Sequence, residues 1–137
     1  MTRKKTEAST GFSASAKLEY CLTAALKKKA FDILALDIRA YTAIADYFVI
    51  CSGSSNRQVQ AIAESIELDL KKHKFYPLGI EGFTHGSWIL LDYGDIVIHI
   101  FYQPVREFYE LERLWADAPK LALDGRDASP PPAGKPA

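Results

Sequence analysis

Cysteine is scarce in this chain. Cys21 and Cys51 are the only two in 137 residues, they lie far apart, and no CxxC pattern frames them. That excludes a disulfide framework and a zinc ribbon, and both thiols read as small buried apolar groups in a reducing compartment. Histidine is scarce too. His73, His85 and His99 are scattered, at spacings that bring no metal ligands together. His99 alternates within a strand pattern, and without a positioned nucleophile it makes no catalytic pair. Net charge is absent, with 17 basic and 17 acidic residues, so the total favours no polyanionic partner. No apolar run reaches the roughly 20 residues of a membrane-spanning helix. The opening MTRKKTEASTGFSASAK lacks the apolar core of a secretory signal, and the expected location is the cytoplasm, without membrane contact.

Nucleotide-binding fingerprints are missing as well. Gly53-Ser54 lies between a predicted strand and a predicted helix, where free N–H groups and the helix dipole suit a phosphate. No Gly-Lys-Ser/Thr follows it, and it is not GxGxxG. A Gly-Ser pair at such a place is also found in nucleotidyltransferases, which need two nearby carboxylates one residue apart to hold a metal pair. No Asp-x-Asp or Asp-x-Glu follows here, and Asp92 and Asp95 straddle a turn. The expectation is therefore a tight turn with a helix cap, and no catalytic residue, cofactor or metal.

What is present is a globular composition, 48% hydrophobic and 25% charged, enough for one domain. Charge is unevenly spread. Residues 1–30 hold seven basic and two acidic residues, and residues 91–118 hold two basic and six acidic ones. The acidic end suits a basic partner. Lys27, Lys28 and Lys29 fall in the last turn of a predicted first helix, where cations oppose the dipole.

The strongest pattern runs from Trp88 to Trp115. WILLD, a turn at Asp92-Tyr93-Gly94-Asp95, and IVIHIFY read as a hairpin whose second strand is apolar on both faces. Pro104 fits the first turn of a helix, and Phe108, Leu111, Leu114 and Trp115 predict its apolar stripe. Upstream, Ser15 is placed to cap a helix with Leu18, Leu22, Ala25 and Leu26 on its apolar face. Strands are predicted at Phe31–Asp37 and Asp46–Cys51, and a short one at Phe75–Gly79. Ser55 and Gln58 have capping-box spacing, opening a helix to about Lys72 that buries Val59, Ile62, Ala63, Ile66 and Leu70. Residues 1–14 read as a disordered extension, 15–118 as the domain, and 119–137 as a disordered Pro-rich tail closed off by Pro119. The fold class is α/β: a single domain with a mixed sheet and helices packed on it. Trp88 is equally consistent with a core residue and with an interface anchor, and Trp115 reads as core.

DYFVICSGSSNRQV at 46–59, GIEG at 79–82, Trp88 followed by LLDYGDIVIHIF, then Arg106 and YELERLW at 109–115, carry a resemblance. In number and order these motifs are similar to those of the ribosomal silencing factor, or Iojap, family over roughly residues 16–118. The resemblance implies a nucleotidyltransferase-like fold without the catalytic carboxylate pair, and no enzyme activity. It implies a translational repressor that binds the large ribosomal subunit at protein fourteen on the intersubunit face. Joining of the small subunit is thereby blocked, and a role in large-subunit biogenesis is also implied. The family's contact tryptophan maps onto Trp88, with Gly79, Glu81 and Gly82 beside it. Asp92, Asp95 and Glu107 follow as acidic groups facing a basic partner. Contact with ribosomal RNA and a homodimer off the ribosome are both compatible with this. The alternative is a nucleotidyltransferase-like enzyme or nucleotide-binding module using the Gly53-Ser54 turn.

Overall fold

The computed structural model describes residues 16–126. The expected cap at Ser15, the extension 1–14 and the end of the tail, 127–137, lie outside the described residues. Helix α1 covers 16–27. Strands β1 (Phe31–Asp37) and β2 (Tyr47–Gly53) precede helix α2 (Asn56–Lys72). Strands β3 (Gly79–Glu81), β4 (Trp88–Asp92) and β5 (Ile96–Tyr102) follow, then helix α3 (Gln103–Tyr109) and a short 3-10 helix, Leu111–Trp115. One five-stranded sheet has the order β1-β2-β5-β4-β3. The β2–β5 pair is parallel and the other pairs are antiparallel, so the sheet is mixed as expected.

The central strand β5 is buried along Ile96–Phe101 because both faces of the sheet carry cover. On one face, Ile96, Ile98 and Ile100 meet Val49, Cys51, Ile89 and Leu91, under Leu22 and Ala25 of α1 and Val59, Ile62, Ile66 and Leu70 of α2. This is the larger apolar cluster, and burial of such side chains contributes roughly 1.5–3 kcal/mol apiece. The opposite face is only partly closed. Leu36, Ile50, Val97 and Phe101 are buried there, with Val105, Leu111, Trp115 and Ala118 over them, and Trp88 and Leu90 stay partly exposed.

Helix α2 starts as its sequence predicts. Ser55 is the N-cap, and its hydroxyl accepts the Gln58 N–H at 3.0 Å. The Gln58 side chain reaches one residue further back than a capping box does, accepting the Ser54 N–H and donating to the Lys28 and Lys29 carbonyls. It thereby ties the start of α2 to the end of α1.

Four expectations are corrected. Strand β2 begins at Tyr47 and runs through Ser52 and Gly53, which stay in register with Phe101 and Tyr102. The short strand lies at Gly79–Glu81 rather than Phe75–Gly79, since Pro77 cannot donate to a ladder and the strand pairs only along β4. The predicted helix through Trp115 breaks at Glu110, whose φ is +50°, so Phe108 and Leu114 face solvent and only Leu111 and Trp115 pack. The chain also stays packed beyond Pro119. The Pro119 carbonyl accepts the Asp37 N–H, Leu121 donates to the Ala35 carbonyl, and Leu123 is buried.

Candidate functional site

Alternation along β4 puts Trp88, Leu90 and Asp92 on the partly closed face, and Ile89 and Leu91 on the helix face. Cross-strand pairing adds Glu81 of β3 opposite Leu90, and Gly79 opposite Asp92. Trp88 is opposite Phe101, and Leu90 is opposite His99. The Trp88 ring packs on Phe101 at 4.7 Å and on Tyr109 at 5.3 Å, and Tyr109 meets Phe108 at 5.0 Å. Tyr109 is 56% exposed and Phe108 79% exposed, so an aromatic row runs from the sheet out to the surface.

Gly82 shapes the approach to Trp88. Its φ is +81°, and a Cβ there would lie 2.1 Å from the Trp88 carbonyl oxygen, so only glycine lets the chain pass so close. The loop between β3 and β4 is held by α2. Asn56 donates to the His85 carbonyl at 3.2 Å, and Gln60 donates to the Phe83 carbonyl at 2.8 Å.

The residues expected at the site are spread along the β3–β4 pair. Gly82 passes Trp88 at the start of β4, and Glu81 is opposite Leu90 at its middle. Gly79 and Asp92 pair with each other at the far end, Asp92 lying about 13 Å from Trp88 at 3.3 Å per residue. The Asp92 carboxylate accepts the Gly94 N–H at 2.8 Å and so forms the hairpin turn. Asp95 bonds Lys17 at 2.8 Å, pinning α1 to that turn, and its carbonyl accepts the Asp46 and Tyr47 N–H groups. Glu107 is exposed on α3, beside Phe108. Tyr109 and Phe108 were not predicted as site residues, because helical periodicity assigned Phe108 to a buried stripe. Their adjacency to Trp88 depends on the β4–β5–α3 path, and no local pattern shows it.

His99 is 5% exposed beneath Trp88, and its Nδ1 accepts the indole N–H at 3.1 Å. Burial lowers its pKa from 6.5 to about 4, so the ring is neutral at pH 7. Burial likewise pushes the Cys51 thiol up to about 12 and raises that of Cys21 well above its ordinary value. Neither thiol is therefore a nucleophile near neutrality.

At the carboxyl ends of β2 and β5 lies an open cleft of about 470 Å³, lined by Asp32, Ser52, Arg106, Glu107, Glu110 and Glu112 among others. Arg106 donates to the Asp32 carbonyl at 2.7 Å and to the Ser52 hydroxyl at 2.8 Å, and it pairs with Glu112 at 3.1 Å. Its guanidinium is thus already committed, and the surrounding carboxylates repel a phosphate. Among the described residues, no group of three or more His, Cys, Asp or Glu side chains is arranged to hold a metal ion.

The family model described as "Ribosomal silencing factor during starvation" matches residues 12–136. The chain belongs to this family. A Bacillus subtilis protein named ribosomal silencing factor RsfS is 46% identical over 97 residues, covering 71% of this chain and 82% of that protein. A mouse member, named mitochondrial assembly of ribosomal large subunit protein 1, is 36% identical and covers 65% of this chain and 40% of its own. A crystal structure of a Chromobacterium violaceum protein superposes with a TM-score of 0.73 at 34% identity, covering 74% of this chain and 85% of that one. That structure and this chain share the fold.

Proposed function

We propose that this chain is a translational silencing factor that acts by bulk. It docks on the large ribosomal subunit, at protein fourteen of the intersubunit face, and keeps the small subunit from joining. The observation that carries this reading is the aromatic row of Trp88, Tyr109 and Phe108 on the partly open face. Rigid aromatic side chains at a surface are the groups that anchor protein interfaces. Glu81 and Glu107 are both exposed and suit a basic partner. In this reading Trp88 is the anchor, Glu81 and Glu107 complement charge, and Gly79, Gly82, Asp92 and Asp95 shape the strand ends and turn that present it. Relatives named for ribosomal silencing and for large-subunit assembly support the ribosome as the target. Affinity and bulk suffice, so no catalytic step is required. The same row offers a second copy of the chain a surface when no ribosome is present.

A nucleotide-binding role at Gly53-Ser54 is less well supported. The Ser54 N–H is already bonded to Gln58, and the adjoining cleft is acidic with its arginine engaged. The test is co-sedimentation of the chain with purified large subunits, followed by addition of small subunits. Binding with reduced formation of joined ribosomes is the expected result. Absence of co-sedimentation with large subunits overturns the proposal.

A further inference from the structure

His99 sits near the middle of β5, between Ile50 of β2 and Leu90 of β4, and the sheet buries it. A buried histidine in an apolar cluster needs a reason, since a leucine or phenylalanine would fill the space without desolvating two ring nitrogens. Its ring lies 4.9 Å from Phe48 and 6.0 Å from Trp88. Among the described residues, its one hydrogen bond runs from Trp88 Nε1–H to His99 Nδ1, and its Nε2 is buried without a partner. An indole N–H can only donate, so Nδ1 must carry the lone pair and the proton sits on Nε2.

The consequence falls on Trp88. Packing on Phe101 and Tyr109, both tilted to it, fixes the plane of the indole loosely, because apolar packing is non-directional. The hydrogen bond to His99 is directional, and it picks out one ring orientation. We propose that His99 is a positioning residue: without touching the partner, it holds the Trp88 indole in the orientation that docks. This rests on the reading of Trp88 as the docking anchor.

The two ring nitrogens can be separated by substitution. In His99→Asn the amide oxygen can occupy the place of Nδ1 and accept the indole N–H. In His99→Gln the amide reaches the place of Nε2 and leaves the indole unbonded, and His99→Phe keeps the ring but offers no acceptor. Two readouts are taken on each folded variant: the Trp88 indole N–H resonance in nitrogen-edited NMR, and the affinity for purified large subunits. Trp88→Phe, alone and combined with His99→Phe, completes a cycle.

The expected result is that His99→Asn keeps the indole resonance and binds within about threefold of the parent. His99→Gln and His99→Phe should shift the resonance and weaken binding by about tenfold. In the Trp88→Phe background, which has no N–H to hold, His99→Phe should change affinity no further. If affinity follows thermal stability rather than the acceptor, with His99→Asn no better than His99→Gln, positioning is overturned. An unchanged indole resonance in His99→Phe overturns it too, as does an equal loss of affinity with and without the indole N–H. Failure of the docking reading looks different: Trp88→Ala would bind normally while the resonance still moved with the acceptor.

Discussion

Trp88 is packed on one side and open on the other, so its replacement separates binding from folding better than a core residue would. Phe101 beneath it is fully buried, whereas Trp88 keeps part of its ring in water. Trp88→Ala should cost about 2 kcal/mol in binding, about thirtyfold in affinity for large subunits, while circular dichroism still reports a folded sheet. Normal binding by the folded variant would move the contact elsewhere. Charge reversal is better placed at Glu81 than at Asp92. Glu81 is exposed on the edge strand, but the Asp92 carboxylate builds the hairpin turn, so its loss confounds folding with docking. Glu81→Lys should weaken binding in titrations at low salt, and the effect should shrink as ionic strength rises. His99 makes a separate prediction about stability. Its folded-state pKa of about 4 lies below its ordinary 6.5, so between these values the unfolded chain takes up a proton that the folded chain refuses. Stability from this residue is therefore present above pH 6.5 and is lost as pH falls towards 4. Between pH 7 and pH 5 the loss is about 2 kcal/mol. Denaturant titrations at the two pH values should show that loss in the parent and not in His99→Phe; an equal loss in both would assign it to other groups.

At the scale of elements, the hairpin, β1 and α2 could be read directly, because each carries a sustained period and a clear stop. The alternation of Ile96, Ile98 and Ile100 with Val97 and Phe101 is a long-range fact expressed locally, since a strand buried on both faces must be apolar throughout. Strand β3 was displaced because its three residues are all exposed and leave no burial signal. The break at Glu110 was hidden for another reason. The spacing of Phe108, Leu111, Leu114 and Trp115 fits a continuous helix, but Arg106 is held by Asp32, Ser52 and Glu112, and the chain turns back at Glu110 to bring Glu112 to it. A non-glycine residue at φ +50° costs on the order of 1 kcal/mol, which this network offsets. Arg106→Met should then free α3 from the sheet end. It should lower stability by about 2 kcal/mol in denaturant titrations and quench the protection of α3 amides in hydrogen exchange. Unchanged protection would show that the packing of Val105 and Tyr109 holds α3 without the arginine. The loop element before Trp88 answers to Gly82 in the same way. Gly82→Ala places a methyl against the Trp88 carbonyl and should destabilise by about 2 kcal/mol or more, read as a lowered melting temperature.

At the scale of the molecule, the site is less readable than the sheet that carries it. Trp88 is marked by a motif, but its acceptor His99 is its diagonal neighbour on the adjacent strand, a relation that exists only once register is set. Glu81 and Asp92 lie far apart along the chain, and the pairing of β3 with β4 makes them diagonal neighbours on one face, Glu81 opposite Leu90 and Asp92 opposite Gly79. The boundary after the last helix was misplaced because the composition there is rich in proline and small residues, while two leucines do the packing. Leu121 adds a backbone bond to Ala35, Lys120 bridges Leu36, and Leu123 is buried against the larger core. This segment covers the outer edge of β1, which would otherwise present unpaired backbone groups. Arg126 ends it on Glu19 of α1, so the segment ties the far edge of the sheet to the helix layer. Deleting residues 119–137 should therefore cost about 2–3 kcal/mol, the order expected for one buried leucine, part of a second and the lost ladder bonds. Deleting only 127–137 is the control and should leave the denaturation midpoint in place. Large-subunit binding should survive both deletions once folding is restored by lower temperature, because Trp88 and Glu81 lie at the opposite edge of the sheet, on β4 and β3. Loss of binding by the longer deletion with an unchanged midpoint would place this segment in the contact instead of in the fold.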